Sequence, residues 1–140
     1  DGGEFRVDTA LDTRVSILKI HPGITPQVVS NILLGDETRA VIIETYGSGN
    51  ALTKDWFLEI IRKAHEMGKI LVNVTQCLGG SVNMNLYATG KPLKEAGVLS
   101  GYDGTTESTL AKLFHLMGRY EDKRSVEEHF TIKLKGEITI

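Results

Sequence analysis

The strongest constraint on the fold is a pair of short apolar runs that are too hydrophobic to face water on either side. These runs are AVIIET at residues 40–45 and KILVNVT at residues 69–75, and both are rich in β-branched side chains. Strands of this kind are typical of parallel sheets that helices cover on both faces. Between them, the apolar positions of residues 53–67 fall on one face of a helix, and Gly68 follows where a C-terminal cap belongs.

The rest of the chain extends this alternation of strand and helix. RVSILKI at residues 14–20 predicts a first strand, and Thr25 and Pro26 are suited to be the N-cap and first residue of a helix. PLKEAG and GVLSG then predict a helical turn and a short apolar segment. A last long helix is expected over residues 105–118, after which SVEEHF and a polar tail close the chain.

Strands that alternate with helices over so short a length predict an α/β fold. We expect three layers: a parallel sheet of about four strands, joined by right-handed crossovers, with helices on both faces, as in Rossmann and flavodoxin-like folds. Ligands of such folds bind at the carboxyl ends of the strands. Three predicted loops gather there, HPG, YGSGN and TQCLGG, so the sequence predicts a ligand site at this edge.

Composition narrows the class of partner. The chain of 140 residues carries 16 basic and 18 acidic side chains, a formal charge of -2, which argues against nucleic acid or an anionic membrane as the main partner. The single cysteine, Cys77, cannot form an internal disulfide, and no apolar run is long enough to cross a bilayer. A cytoplasmic protein is therefore expected, and the polar, irregular residues 1–13 are interpreted as a linker from an upstream domain.

The predicted loops offer several candidate chemistries. YGSGN lacks the third glycine of a dinucleotide fingerprint, so Gly49 and Asn50 either present backbone N–H groups to a carboxylate or form a glycine-eased turn. Thr75 can bind a polar ligand or satisfy the end of its strand, and both interpretations remain open. Cys77 has no identifiable partner base, and the four histidines lack metal-ligand spacing. No metal or cofactor is predicted.

Four ordered motifs carry a family resemblance: HPGI, YGSGNA, NVTQCLGGSVNMNLYATG and AGVLSGYDGTTESTLAKL. Together they resemble the C-terminal domain of type I, cytosolic bacterial L-asparaginases, over residues 14–140, with residues 1–13 as interdomain linker. The resemblance implies that the whole enzyme hydrolyses L-asparagine to L-aspartate and ammonia through a threonine nucleophile on an N-terminal domain. It also implies that this chain holds no catalytic residue, is inactive alone, and works with an N-terminal domain in a homo-oligomer.

The resemblance further implies a set of candidate site residues. Some cytosolic members bind a second asparagine as an effector, and their pocket corresponds here to Gly49, Asn50, Thr75 and Cys77. The basic residue that grips the effector carboxylate in those members corresponds to Glu44, which would repel it. Asn83 is the candidate for a group that reaches a neighbouring active site.

Two other functions fit the same residues. The chain can belong to the asparaginase-like subunit of a glutamyl-tRNA amidotransferase, which releases ammonia from an amide donor with the same two-domain core. It can also be a stand-alone regulatory module that binds a small amino acid without chemistry.

Overall fold

Four strands form one parallel sheet whose spatial order matches their order in the chain. The computed structural model describes residues 11–46, 54–76, 92–101 and 105–138. The strands are β1 Val15–Lys19, β2 Ala40–Tyr46, β3 Ile70–Gln76 and β4 Leu99–Ser100. The two central strands are the apolar runs that the sequence singled out, and they pair along seven residues each, from Ala40 opposite Ile70 to Tyr46 opposite Gln76.

The described residues form four helices, and the one that follows Thr25 begins where its capping residue predicts. They are α1 Pro26–Leu33, α2 Asp55–Glu66, α3 Thr106–Arg119 and α4 Lys123–Ile138, with a single helical turn at residues 92–95. Thr25 caps α1 by accepting a hydrogen bond from the backbone N–H of Val28 at 3.3 Å. Gly68 follows α2 with a φ of 92°, a left-handed conformation that glycine adopts without strain.

The connections between strands cover one face of the sheet, which we call the crossover face. It is packed by α1, α2 and the turn at residues 92–95, with Phe57, Ile61 and Leu93 buried against Ile43 and Leu71. The strands follow one another across the sheet in chain order. If every crossover has the same handedness, every connecting helix must then lie on the same face of the sheet.

The opposite face, which we call the tail face, is covered by α3 and α4. Leu113 and Met117 of α3 and Val126 and Phe130 of α4 pack there against alternate residues of the central strands, such as Ile42. The prediction of a three-layer α/β fold with helices on both faces is therefore confirmed.

The interpretation of the last residues as a polar tail was wrong, because they form α4. Among the residues of this helix whose side chains are described, Val126 and Phe130 are fully buried and lie four residues apart. Charged residues outnumber apolar ones in this segment, although Val126, Phe130, Leu134 and Ile138 recur every fourth residue. A capping signal was nevertheless present, since Asp122 accepts a hydrogen bond from the backbone N–H of Ser125 at 2.9 Å.

Candidate functional site

Polar side chains meet where the central strands end, at the edge we call the carboxyl edge. Its described polar members are Glu44 and Thr45 of β2, Asn73 of β3 and Thr106 of α3. Because parallel strands all end at the same side of a sheet, β2 and β3 bring these residues together. The edge is also close-packed: a Cβ on Gly101, which follows β4, would lie 3.3 Å from the backbone oxygen of Asn73.

Glu44 lies on the tail face of this edge and is almost completely buried. Its side chain is joined to the first residue of α3, since Thr106 Oγ1 donates to Glu44 Oε2 at 2.5 Å. Thr106 is buried as well. A threonine hydroxyl beside a carboxylate could in principle act as a nucleophile. Here both groups are shielded from solvent, so the pair is suited to holding β2 against α3 rather than to reacting with a substrate.

Thr45 and Asn73 form a second polar contact on the crossover face of the same edge. Thr45 Oγ1 donates to Asn73 Oδ1 at 3.2 Å, and Thr45 is only 2% exposed. The backbone N–H of Gly101 donates to the backbone oxygen of Asn73 at 2.8 Å, which ties β4 to the same position. Sequence reasoning missed this pair. Its signal was a polar residue inside each apolar run, at positions that the sheet register makes diagonal neighbours.

The predicted site residues are only partly within the described chain. Glu44 is engaged by Thr106, and the backbone of Thr75 pairs with that of Thr45 in the sheet. The remaining predicted residues lie outside the described residues: Gly49, Asn50, Cys77 and Asn83. The effector pocket at Gly49, Asn50, Thr75 and Cys77, and the role of Asn83 at a neighbouring active site, therefore stay predictions.

The opposite side of the sheet, the amino edge, gathers cations at the carbonyl ends of helices. Arg39 donates to the backbone oxygens of Met117, Tyr120 and Glu121, in and after the last turn of α3, at 3.0, 3.0 and 2.6 Å. Lys69, which is buried, donates to the backbone oxygens of Gly35 and Thr38. Each cation thereby satisfies carbonyls that have no partner within a helix.

Asp12 extends the Arg39 contacts toward the start of the chain. Arg14 binds Asp12 with two side-chain hydrogen bonds, of 2.6 and 2.9 Å, and Arg39 adds a third at 3.2 Å. The hydrogen bonds from Arg14 hold the pKa of Asp12 well below its usual range. The backbone N–H of Asp12 also donates to the backbone oxygen of Phe114.

A further basic contact joins α4 to α2 at the amino edge. Lys123 Nζ lies 2.9 Å from His65 Nδ1 and donates to the His65 backbone oxygen at 3.0 Å. Burial lowers the pKa of Lys123 and raises that of Glu127, and the attraction between them offsets part of each shift. The His65 ring packs on Gly97, where a Cβ would lie 2.6 Å from Nδ1.

Neither a metal site nor a membrane-spanning helix is found among the described residues. Within residues 11–46, 54–76, 92–101 and 105–138, no three histidine, cysteine, aspartate or glutamate side chains gather as a metal site would require. No helix in that part of the chain has the length and apolar character to cross a bilayer.

Comparisons with known proteins point to one family. The model of the glutaminase/asparaginase C-terminal domain matches residues 14–130. L-asparaginase 1 of Escherichia coli strain K12 is 39% identical over 137 residues, which is 98% of this chain and 40% of that protein. A glutamyl-tRNA(Gln) amidotransferase subunit of Sulfolobus acidocaldarius is 38% identical over 135 residues, which is 96% of this chain and 30% of that protein.

Comparison with solved structures points to the same family. L-asparaginase I of Vibrio cholerae O1 biovar eltor superposes with a TM-score of 0.75 at 40% identity, over 88% of this chain and 37% of that one. The chain thus spans well under half the length of each of these relatives.

Proposed function

Because the chain belongs to the glutaminase/asparaginase C-terminal domain family, we propose that it is the assembly and active-site-completing half of an L-asparaginase. The whole enzyme would hydrolyse the side-chain amide of L-asparagine to L-aspartate and ammonia. The observation that carries this proposal is the similarity to L-asparaginase 1 along almost the entire chain.

The contacts at the carboxyl edge support a positioning role without bond breaking. Its described side chains are a carboxylate, an amide and two hydroxyls, which form two hydrogen-bonded pairs, and all but the half-buried Asn73 are buried. A nucleophile needs exposure to substrate and an adjacent base. We therefore place the catalytic threonines on the N-terminal domain, as the resemblance implies, and assign this chain the tasks of positioning loops and excluding water.

Assembly is the second part of the proposal. Exposed apolar side chains offer area that a partner can bury: Ile17 of the edge strand β1, Val28 of α1 and Met67 after α2 are each between 42% and 50% exposed. We propose a homo-oligomer in the cytoplasm in which loops of one subunit complete the active site of another, with Asn83 as the reaching group. Effector binding through Glu44 is disfavoured, because its buried side chain already binds Thr106.

The proposal is tested with a chimera in which this chain replaces the matching C-terminal segment of E. coli L-asparaginase 1. We expect the chimera to release ammonia from asparagine and the isolated chain to release none. Circular dichroism establishes that both are folded. A folded chimera without activity, or an isolated chain that hydrolyses asparagine, would contradict the proposal.

The amidotransferase is a second candidate, favoured by the 38% identity to the S. acidocaldarius protein. A parallel chimera built in that amidotransferase separates the two candidates. Restored glutamine-dependent amidation there, with no hydrolysis in the asparaginase chimera, would assign the chain to an amidotransferase. Calorimetry of the isolated chain with asparagine, aspartate and glutamine tests the stand-alone module, which predicts binding without any chimera.

A further inference from the structure

Glu44 is out of place in an apolar strand. It follows the fully buried residues from Ala40 to Ile43 and is itself 8% exposed, opposite the buried Val74 of β3. Burying a carboxylate is unfavourable unless hydrogen bonds or opposite charge compensate for lost water. A valine or isoleucine would carry no such penalty at this position, so the compensation has to come from what Glu44 contacts.

That contact is the beginning of α3. Thr106, which donates to Glu44 at 2.5 Å, is the first residue of this helix of 14 residues. Thr105 before it caps the helix by accepting from the N–H of Ser108 at 3.0 Å. The N-terminus of a helix carries partial positive charge and binds anions, including the carboxylates of ligands. The Glu44 carboxylate thus lies beside this terminus, where the Thr106 hydroxyl donates to it.

We propose that Glu44 is an internal carboxylate that occupies the anion position at the start of α3, joins α3 to the end of β2, and excludes ligand carboxylates from the tail face of the carboxyl edge. Glu44 is a positioning residue, since its contact with Thr106 fixes the end of β2 relative to the beginning of α3. This inference does not depend on the proposed hydrolase activity.

Chemical rescue tests this arrangement in the full 140-residue chain. Glu44→Ala removes a CH₂COO⁻ group, for which acetate is a replacement of the same shape and charge. We expect E44A to have a lower Tm than the parent, and added sodium acetate to restore most of the loss while sodium chloride at equal ionic strength restores little. Glu59→Ala, at an exposed position of α2, is the matched control and should respond equally to both salts.

Binding is measured directly by titrating ¹³C-acetate into each variant and following its relaxation. Saturable binding is expected for E44A and not for the parent, in which Glu44 fills the position. The double variant E44A/T106V should bind acetate more weakly than E44A, because the hydroxyl donor is lost. Equal binding by parent and E44A, or a chloride response equal to the acetate response, would overturn the proposal.

A second set of variants covers the case in which E44A does not fold. Thr106→Ser keeps the hydroxyl and Thr106→Val removes it at nearly constant volume. We expect T106S to unfold close to the parent and T106V to unfold at lower temperature, with the T106V effect much reduced in an E44Q background. Equal T106V effects in both backgrounds would show that the two residues are not coupled and would also refute the proposal.

Discussion

The two edges of the sheet are built from opposite chemistry. At the amino edge, Arg39, Lys69 and Lys123 donate to backbone oxygens at or near the ends of helices. At the carboxyl edge, Glu44 and Thr106 meet at the beginning of a helix. The difference follows from helix direction, because helices that run against the strands leave carbonyls at one edge and N–H groups at the other.

This contrast indicates that the amino edge mainly stabilises the fold and that the carboxyl edge positions the predicted site. Cations that donate to carbonyls far apart in sequence hold the layers together at the amino edge. At the carboxyl edge the described polar contacts end directly before segments that carry the predicted site residues. Changes at the amino edge should therefore affect stability alone, and changes at the carboxyl edge should also affect the activity of the chimera.

The largest effect is expected for Arg39→Met. This change removes the side-chain donor from three backbone carbonyls at the end of α3 and from Asp12, so we expect unfolding in urea to become easier by about 3 kcal/mol. Arg39→Lys keeps the charge but not the forked donors, and should recover only part of the loss. The KM of the chimera for asparagine should stay unchanged. If R39K were as stable as the parent, the role assigned to the paired guanidinium donors of Arg39 would be contradicted.

Asp12→Asn should give a smaller effect that depends on pH. The folded-state pKa of Asp12 is lowered, so its contribution to stability is complete above the unfolded pKa and is lost as pH falls toward the folded value. We expect D12N to be less stable than the parent by about 1–2 kcal/mol at pH 7.

The check is a series of urea unfolding curves from pH 7 downward. The difference between D12N and the parent should stay constant to about pH 5 and shrink below about pH 4. A difference that is the same at pH 3 and pH 7 would rule out an ionised Asp12 as its source.

Thr45→Val should have the smallest effect on stability. It removes the hydrogen bond of 3.2 Å to Asn73 and keeps the shape of the side chain, so we expect a loss of about 1 kcal/mol. In the chimera, the same change should lower kcat/KM, because Thr45 immediately precedes the end of β2. Thr45→Ser keeps the hydroxyl and is the matched control. If the T45V chimera were as active as its parent, the claim that the carboxyl edge contributes to activity would be contradicted.

Much of the fold was predictable because its signals are local. The apolar runs that became β2 and β3, and the caps at Thr25 and Gly68, each depend on a few consecutive residues. Helix α4 was missed because charged residues outnumber apolar ones in its sequence. The apolar residues Val126, Phe130, Leu134 and Ile138 do recur at a helical spacing, but this spacing was not recognised in so polar a segment.

The site was less predictable because its contacts are tertiary. Glu44 and Thr106 are 62 positions apart, and Thr45 meets Asn73 only in the register of the sheet. The resemblance brought Glu44 to notice as a charge opposed to a ligand carboxylate. Its actual partner depends on how α3 packs over β2, which no short stretch of sequence specifies.

Hydrogen–deuterium exchange tests most directly the claim that the carboxyl edge meets the rest of the enzyme. Exchange of the isolated chain is compared with exchange of the same residues in the chimera. We predict added protection at residues 44–46, 73–76 and 105–108, and none at the amino edge around Arg39 and Lys69. Protection gained at the amino edge, with the carboxyl edge unchanged, would contradict the account.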